Sequence, residues 1–94
     1  MPLYMLACFD KADSLDLRLA TREAHLAYAR EHLAMVKLAG PLLDEADGMA
    51  GSMFILEASD RAAVEAFTAA DPYTLAGLFD RVDIRGFRAS VGQL

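Results

Sequence analysis

The sequence predicts one α+β domain whose elements follow the order β-α-β-β-α-β. Its 94 residues are enough for a single domain, residues 1–94, and no repeat or linker divides them. Two apolar runs, residues 3–9 and 53–56, have the composition of buried strands. A long stretch between them carries apolar residues at helical spacing, and caps and turn signals follow.

The first strand covers residues 2–9 and ends at the polar segment 10–14. A long helix follows, because leucines recur there at helical spacing. These leucines are Leu15, Leu19, Leu26 and Leu33. Ser14 or Asp16 can cap the start of the helix, and the pattern predicts that it continues to Ala39.

The Gly-Pro pair at 40–41 then ends the helix. Residues 41–45 are predicted to form a short edge strand, where a proline does not interrupt the hydrogen-bond ladder. Asp47 and Gly48 are a turn signal that leads into the second apolar strand, residues 51–58.

Two helix starts follow. Ser59 or Asp60 is expected to cap a short helix that ends at Ala70. Asp71 and Pro72 begin another helical turn, with the proline at the first helical position and the aspartate as its cap.

The last strand spans residues 82–90. Val82 and Ile84 share one face while Phe87 has the opposite parity, so a β-bulge is predicted at Gly86. The complete order is the split βαβ arrangement of ferredoxin-like domains, an antiparallel sheet with both helices on one face.

The second face of this sheet also has to be buried. An antiparallel sheet with one solvated side alternates apolar and polar residues, yet residues 3–9 and 53–56 are apolar throughout. Because only two main helices are available to cover one face, we expect the other to pack against a second copy in a symmetric homodimer.

Composition excludes several classes of function. A net charge of −5 and a pI near 4.8 argue against a nucleic-acid partner, and the longest apolar run is too short for a membrane span. The single cysteine, Cys8, excludes a disulfide framework and is expected to be a buried, inert thiol. The sequence shows no metal-site spacing and no nucleotide-binding glycine pattern, so no metal or cofactor is predicted in a cytoplasmic protein.

The long helix carries a polar stripe beside its leucines. Arg18, Arg22, His25 and His32 are spaced by four, three and seven residues, which places them on one side of the helix. Such a stripe can face a cleft, but the arginines are equally typical of a solvated helix face. His25 can be a boundary histidine without a role, and His32 is expected to be structural.

Asp71 is the candidate partner of this stripe. It is a helix cap in its own right, but a carboxylate there can also orient His25 and stabilise its protonated form for proton transfer. Gly51 and Ser52 offer an approachable backbone and a hydroxyl at the start of a strand. Tyr73 either lines the same cleft or packs in the core.

Several short segments, in this order along the chain, resemble the pattern of the YciI-like (YCII-related) family. They are Asp10-Lys11-Ala12-Asp13-Ser14-Leu15, Arg18-Leu19, Arg22-x-x-His25-Leu26, Ala39-Gly40-Pro41, Gly51-Ser52, Ala70-Asp71-Pro72-Tyr73 and Ala76-Gly77. The similarity extends over residues 3–89. It implies a ferredoxin-like domain that dimerises through its sheets into an α/β barrel, with a histidine and aspartate pair that corresponds to His25 and Asp71.

The resemblance also implies substrates, since the family is similar to muconolactone isomerases and to a dehydrochlorinase of chlorinated hydroxyquinones. The sequence departs from the family at the helix exit, where a usual glycine is missing before Ala39-Gly40-Pro41. The helix exit and the second strand are therefore expected to be shortened, which alters the rim of the cleft but not the pair.

We predict a cofactor-independent enzyme in which His25 moves a proton of a small cyclic acid or phenol while Asp71 holds its tautomer. Ser52 or a backbone N–H would bind a developing oxyanion, and Arg22 or Arg18 would pair with a substrate carboxylate. The alternative is a non-catalytic dimer that binds a small anion or acts as an accessory module. An RNA-binding domain is disfavoured because the middle strands lack stacking aromatics and the charge is acidic.

Overall fold

The computed structural model describes all 94 residues as a four-stranded antiparallel sheet with three helices, a ferredoxin-like α+β fold. The strand order is β2-β3-β1-β4, so the two apolar strands are central. The elements are β1 (Leu3–Asp10), α1 (Leu15–Arg30), β2 (Val36–Leu43), β3 (Met49–Glu57), α2 (Arg61–Ala70), α3 (Pro72–Leu75) and β4 (Phe79–Phe87). None of the helices has the length and apolarity needed to cross a membrane.

The core lies between the central strands and α2. It is built from alternate residues of the strands and from two side chains of the helix, because only every second strand residue points to the helices. Its members include Leu6, Phe54, Leu56, Val64 and Phe67. Cys8 belongs to this cluster, and burial, reinforced by the charge of Asp71, raises the pKa of its thiol to about 12. Near neutral pH Cys8 is therefore a protonated, unreactive thiol.

The remaining strand residues form a second surface, called here the open face, which no helix covers. Ladder pairs identify the residues on this side of the sheet: Met5 of β1 pairs with Ile55 of β3, and Ile55 in turn pairs with Leu38 of β2. Its apolar members include Leu3, Met5, Phe9, Leu38, Met53 and Phe87. Leu38 is 51% exposed and Phe87 is 44% exposed, although both lie on the sheet.

Helix α1 packs with its polar side inward. Its buried residues are Arg18 and His25, whereas Leu15 and Leu19 are about half exposed, at 46% and 52%. The leucine pattern correctly predicted a helix, but the polar stripe beside it contacts the rest of the fold.

The predicted end of this helix was wrong. Helix α1 ends at Arg30, and after a turn over residues 31–35 the chain enters β2, which is eight residues long and begins five residues before the strand predicted at 41–45. Val36 and Leu38 pair with the outer edge of β3, and this pairing replaces the helical hydrogen bonds that the sequence pattern suggested. None of the turn residues has a positive φ, which explains how the turn forms without the family's usual glycine.

The predicted bulge at Gly86 was also wrong. Gly86 pairs regularly with Tyr4, and the register between β1 and β4 shifts instead at Phe9 and Asp10. Phe87 has the opposite parity to Ile84 simply because it belongs to the open face. The edge-strand position of Pro41, by contrast, is confirmed.

Both predicted aspartate caps are present. The carboxylate of Asp60 accepts the backbone N–H of Ala63 at the start of α2, and that of Asp71 accepts the N–H of Tyr73 at the start of α3. Each cap satisfies a donor that a helix start leaves without an intrahelical partner.

Gly51 lies against the backbone of β1 with no room for a side chain, so we expect Gly51→Ala to destabilise the fold. A Cβ atom there would lie 2.5 Å from the backbone oxygen of Cys8, a contact that requires the two strands to separate. The expected loss is about 2 kcal/mol or more in the free energy of unfolding, measured by chemical denaturation.

Gly86→Ala is the matched control, because a Cβ atom at Gly86 would meet no atom within 4 Å. It should leave stability unchanged or raise it by up to about 1 kcal/mol. Equal effects of the two substitutions would show that the strand spacing at Gly51 does not require glycine.

Candidate active site

Helix α1 and the start of α3 bring a histidine and an aspartate together. The Nδ1 atom of His25 lies 2.9 Å from one carboxylate oxygen of Asp71 and 3.0 Å from the other. Both residues are buried, with 7% and 2% of their surface exposed. Residues that are 46 positions apart in sequence thus form a direct contact.

Asp71 performs two structural tasks with one side chain. Its Oδ1 atom, which lies 2.9 Å from Nδ1 of His25, also accepts the backbone N–H of Tyr73 at 2.9 Å, and this bond fixes the carboxylate in the cap position. Because a carboxylate only accepts hydrogen bonds, Nδ1 of His25 carries the proton. The other ring nitrogen, Nε2, can accept a hydrogen bond whenever the imidazole is neutral.

Tyr73 packs flat against this imidazole. The two rings are 4.1 Å apart and inclined by 18°, and the guanidinium of Arg18 lies 4.5 Å from the centre of the same tyrosine ring. One aromatic ring thus contacts both the imidazole and the guanidinium. Burial raises the pKa of Tyr73, which keeps its phenol neutral near neutral pH.

Arg18 is held by a bidentate ion pair with Asp10. Its Nε and Nη2 atoms donate to the two carboxylate oxygens at 2.7 and 2.9 Å, and Nη2 also donates to the hydroxyl of Ser52 at 2.9 Å. Burial alone would lower the pKa of Arg18, but the hydrogen bonds and charge of Asp10 outweigh it and the pKa is raised. The charge of Arg18 is therefore already paired inside the protein.

A small cavity of about 70 Å³ lies above these groups. Its floor consists of the buried side chains of Arg18, His25, Ser52 and Tyr73. Its rim consists of less buried residues of α1 and β2, namely Arg22, Leu26, Ala29, Ala39, Gly40 and Pro41.

All six site residues predicted from the sequence thus meet at one place. Five line the cavity, and Asp71 lies behind His25. Arg22 is exposed at the rim and takes part in no ion pair. Sequence reasoning missed Asp10, whose signal was a charge at the end of an apolar strand, eight residues before Arg18.

Two other features do not extend this site. The Nδ1 atom of His32 lies 2.7 Å from the carbonyl of Tyr28, and its ring packs against Tyr28 and Phe67, as expected for a structural histidine. No three His, Cys, Asp or Glu side chains come together as metal ligands would. A larger groove of about 720 Å³ at residues 1–4 and 86–89 shares no residue with the cavity.

The sequence matches the model of the YCII-related domain over residues 2–88. The chain belongs to the YCII-related family. The proteins named YciI from Escherichia coli O6:H1 and Shigella flexneri are each 37% identical to it, over 92% of this chain and 96% of theirs.

Solved structures share the ferredoxin-like fold of this YCII-related protein. The 5-chloro-2-hydroxyhydroquinone dehydrochlorinase of Burkholderia phenoliruptrix, solved with 2,5-dihydroxybenzoquinone, superposes with a TM-score of 0.87 at 31% identity over 94% of this chain and 95% of that one. A structure titled antibiotic biosynthesis monooxygenase reaches a TM-score of 0.58 at 18% identity, over 97% and 100% of the two chains, and shares the fold alone.

The ion pair between Arg18 and Asp10 predicts a strong effect of Asp10→Ala on stability. The substitution would leave a buried guanidinium without its partner, which typically costs about 3–5 kcal/mol. The free energy of unfolding, measured by denaturant titration, should fall by this amount.

Asp83→Ala is the control, since Asp83 pairs with Arg85 at 3.3 Å on the surface. Removal of such an exposed pair should cost less than about 1 kcal/mol. If Asp10→Ala is no more harmful than Asp83→Ala, the buried ion pair does not stabilise the fold.

Proposed function

We propose that this protein is a cofactor-independent enzyme that uses His25 and Asp71 as an acid–base pair on a small cyclic acid or phenol. The observation that carries the proposal is the double contact of the Asp71 carboxylate with Nδ1 of His25, at 2.9 and 3.0 Å. It fixes one tautomer in a buried place and leaves Nε2 as a base. We expect this enzyme in the cytoplasm.

The surrounding groups support proton transfer next to an oxygen atom. Nε2 of His25 would take a proton from carbon or oxygen of the substrate. In an isomerase the imidazolium returns this proton to another substrate atom. In a dehydrochlorinase the electron pair left behind expels chloride as the C–Cl bond breaks, and the imidazolium passes its proton to water. The hydroxyl of Ser52 would stabilise the negative charge that develops on oxygen. Arg22 would pair with a substrate anion at the rim, because the guanidinium of Arg18 is already engaged by Asp10.

The substrate class follows from the cavity and from the similarity to the dehydrochlorinase. Buried polar groups lie at the floor and apolar side chains such as Leu26 and Pro41 at the rim, an arrangement that suits the polar edge of a small ring. A volume of about 70 Å³ admits that edge while the rest of the ring lies at the mouth. The 2,5-dihydroxybenzoquinone bound to the dehydrochlorinase is such a ring.

The cavity volume also favours a second candidate, a non-catalytic module that binds a small anion. Ligand pockets typically measure about 300–1,000 Å³, far more than the 70 Å³ found here. Such a module would use Arg22 and the floor donors without any need for a base at His25.

The two proposals differ in the effect of His25→Gln. Loss of the base should lower turnover of lactones or halogenated hydroquinones about 10²–10⁴-fold if the protein is an acid–base enzyme. His32→Gln is the matched control and should leave the rate unchanged, because His32 packs on Tyr28 and Phe67 outside the cavity. Equal rates of the two variants would remove His25 from the mechanism.

A measurement without substrate checks the role of Asp71. Nitrogen NMR should show His25 with its proton on Nδ1 in the wild type and a mixture of tautomers in Asp71→Asn, because the carboxylate that selects the tautomer is lost. The same tautomer in both proteins would leave Asp71 as a helix cap only and favour the binding module.

We further propose that the open face packs against the open face of a second copy. The apolar members of this face, such as Met5, Leu38 and Met53, are partly exposed on a sheet that carries helices on one side only. A surface of this kind is self-complementary around a two-fold axis.

Met53→Glu is expected to convert this dimer to a monomer, because it would bury two charges at the interface. Sedimentation velocity or light scattering measures the mass directly. Leu75→Glu is the control, since Leu75 lies on α3, is 75% exposed and is not on the open face, and it should leave the mass unchanged. A wild-type protein that is monomeric at micromolar concentration would contradict the proposal.

A further inference from the structure

The ion pair between Asp10 and Arg18 does more than fill the space beneath the cavity. The guanidinium of Arg18 reaches past Asp10 and donates from Nη2 to the hydroxyl oxygen of Ser52 at 2.9 Å. Arg18 and Ser52 are 2% and 3% exposed, and the side chain of Asp10 is 6% exposed. The three side chains form a buried chain that ends at the floor of the cavity.

We infer that Asp10 and Arg18 are positioning residues that make the Ser52 hydroxyl a hydrogen-bond donor, so that the site selects a ligand with an anionic oxygen there. This inference rests on the proposed function and specifies which end of the substrate enters. It concerns ligand selection and not the proton transfer by His25.

The direction of the Ser52 hydroxyl follows from the chemistry of its neighbour. A guanidinium has only N–H donors, so the Ser52 oxygen must accept in its bond to Arg18. Arg18 is the only hydrogen-bond partner of this hydroxyl within the protein, and the hydroxyl proton of Ser52 therefore remains available. Because Ser52 lines the cavity, that proton is directed to a ligand.

The charge of Arg18 strengthens this donor. A hydroxyl that accepts from a cation is polarised, and in a buried place its own hydrogen bond to an anion becomes stronger. A ligand N–H at the same position would lie near the positive guanidinium and would find no acceptor as strong as the donor that an anionic oxygen meets there. The site therefore discriminates between an oxygen anion and a nitrogen donor of the same shape.

Asp10 prevents Arg18 from binding a ligand carboxylate through both Nε and Nη2, so Arg18 acts on the ligand through the Ser52 hydroxyl. Its two carboxylate oxygens occupy Nε and Nη2, the edge with which arginine usually binds carboxylates. The pair carries no net charge, so it attracts distant anions only weakly, whereas the hydrogen bond from Nη2 of Arg18 at 2.9 Å still polarises the adjacent Ser52 hydroxyl.

The arrangement complements His25. When a phenol gives its proton to Nε2, the O–H bond breaks, an N–H bond forms and the electron pair stays on oxygen. That oxygen, or one conjugated to it, is then stabilised by the Ser52 donor and by the imidazolium. An acceptor base and a polarised donor thus lie at one cavity floor, held by two separate carboxylates.

The test compares two ligands of the same shape, 4-nitrophenolate and 4-nitroaniline, by calorimetry at a pH where the phenol is ionised. The wild type should prefer the phenolate. In Ser52→Ala the affinity ratio should fall about tenfold to a hundredfold, the value of a hydrogen bond to a charged group. Ser59→Ala removes an exposed hydroxyl that does not line the cavity and should leave the ratio unchanged.

A double variant, Asp10→Asn with Arg18→Met, tests the positioning residues themselves. It removes both buried charges together, an exchange that folds tolerate better than the loss of one partner. The ratio should fall several-fold although Ser52 is retained, whereas a merely structural role would weaken both ligands equally.

An unchanged ratio in Ser52→Ala, or in the double variant, would overturn the inference. So would a wild-type protein that binds neither ligand or prefers the aniline. The role of the His25 and Asp71 pair is decided separately by the tautomer measurement, which needs no ligand, so the two proposals can fail independently.

Discussion

A helix that packs its polar side inward needs a partner for every polar group that it removes from water. Helix α1 buries an arginine and a histidine, and an unpaired buried charge would cost several kcal/mol, on the order of 3–5. The fold supplies Asp10 from β1 for Arg18 and Asp71 from the α2–α3 junction for His25. The cavity floor therefore results from the pairing of the buried polar side chains of α1 with these two carboxylates.

This requirement links stability and chemistry at the same atoms. The carboxylate of Asp71 caps α3, accepts from Tyr73 and holds His25, so local folding of the junction orients the imidazole. Tyr73, placed by that cap, packs against both the imidazole and the guanidinium. Sites whose supporting groups are themselves structural hold their geometry well, which is what proton transfer requires.

The sheet accommodates the large apolar fraction of the sequence on both of its faces. The strand residues that point toward α2 build the core. Those that point away from it, among them Met5, Leu38 and Met53, form the open face. A chain with 55% hydrophobic residues thus distributes them over both sides of one sheet. Membership of the YCII-related family and the superposition on a dehydrochlorinase agree with this architecture.

Local signals in the sequence determined the parts of this protein that depend on neighbours in the chain. The apolar strands β1 and β3, the capping roles of Asp60 and Asp71 and the edge position of Pro41 all follow from short-range preferences. The polar stripe of α1 was visible as a spacing, and it contains three of the six site residues, namely Arg18, Arg22 and His25. Spacing alone did not show which side of the helix faces the sheet.

Tertiary pairing decided the rest. Val36 lies in a strand because β3 offers it an unpaired edge, a partner 20 residues further along the chain at Leu56. Asp10 lies in the site only because β1 ends beneath α1. His25 contacts Asp71 because α3 packs against α1. Hydrogen bonds across a sheet and buried ion pairs are contacts between distant residues, so their energy is absent from any local window of the sequence.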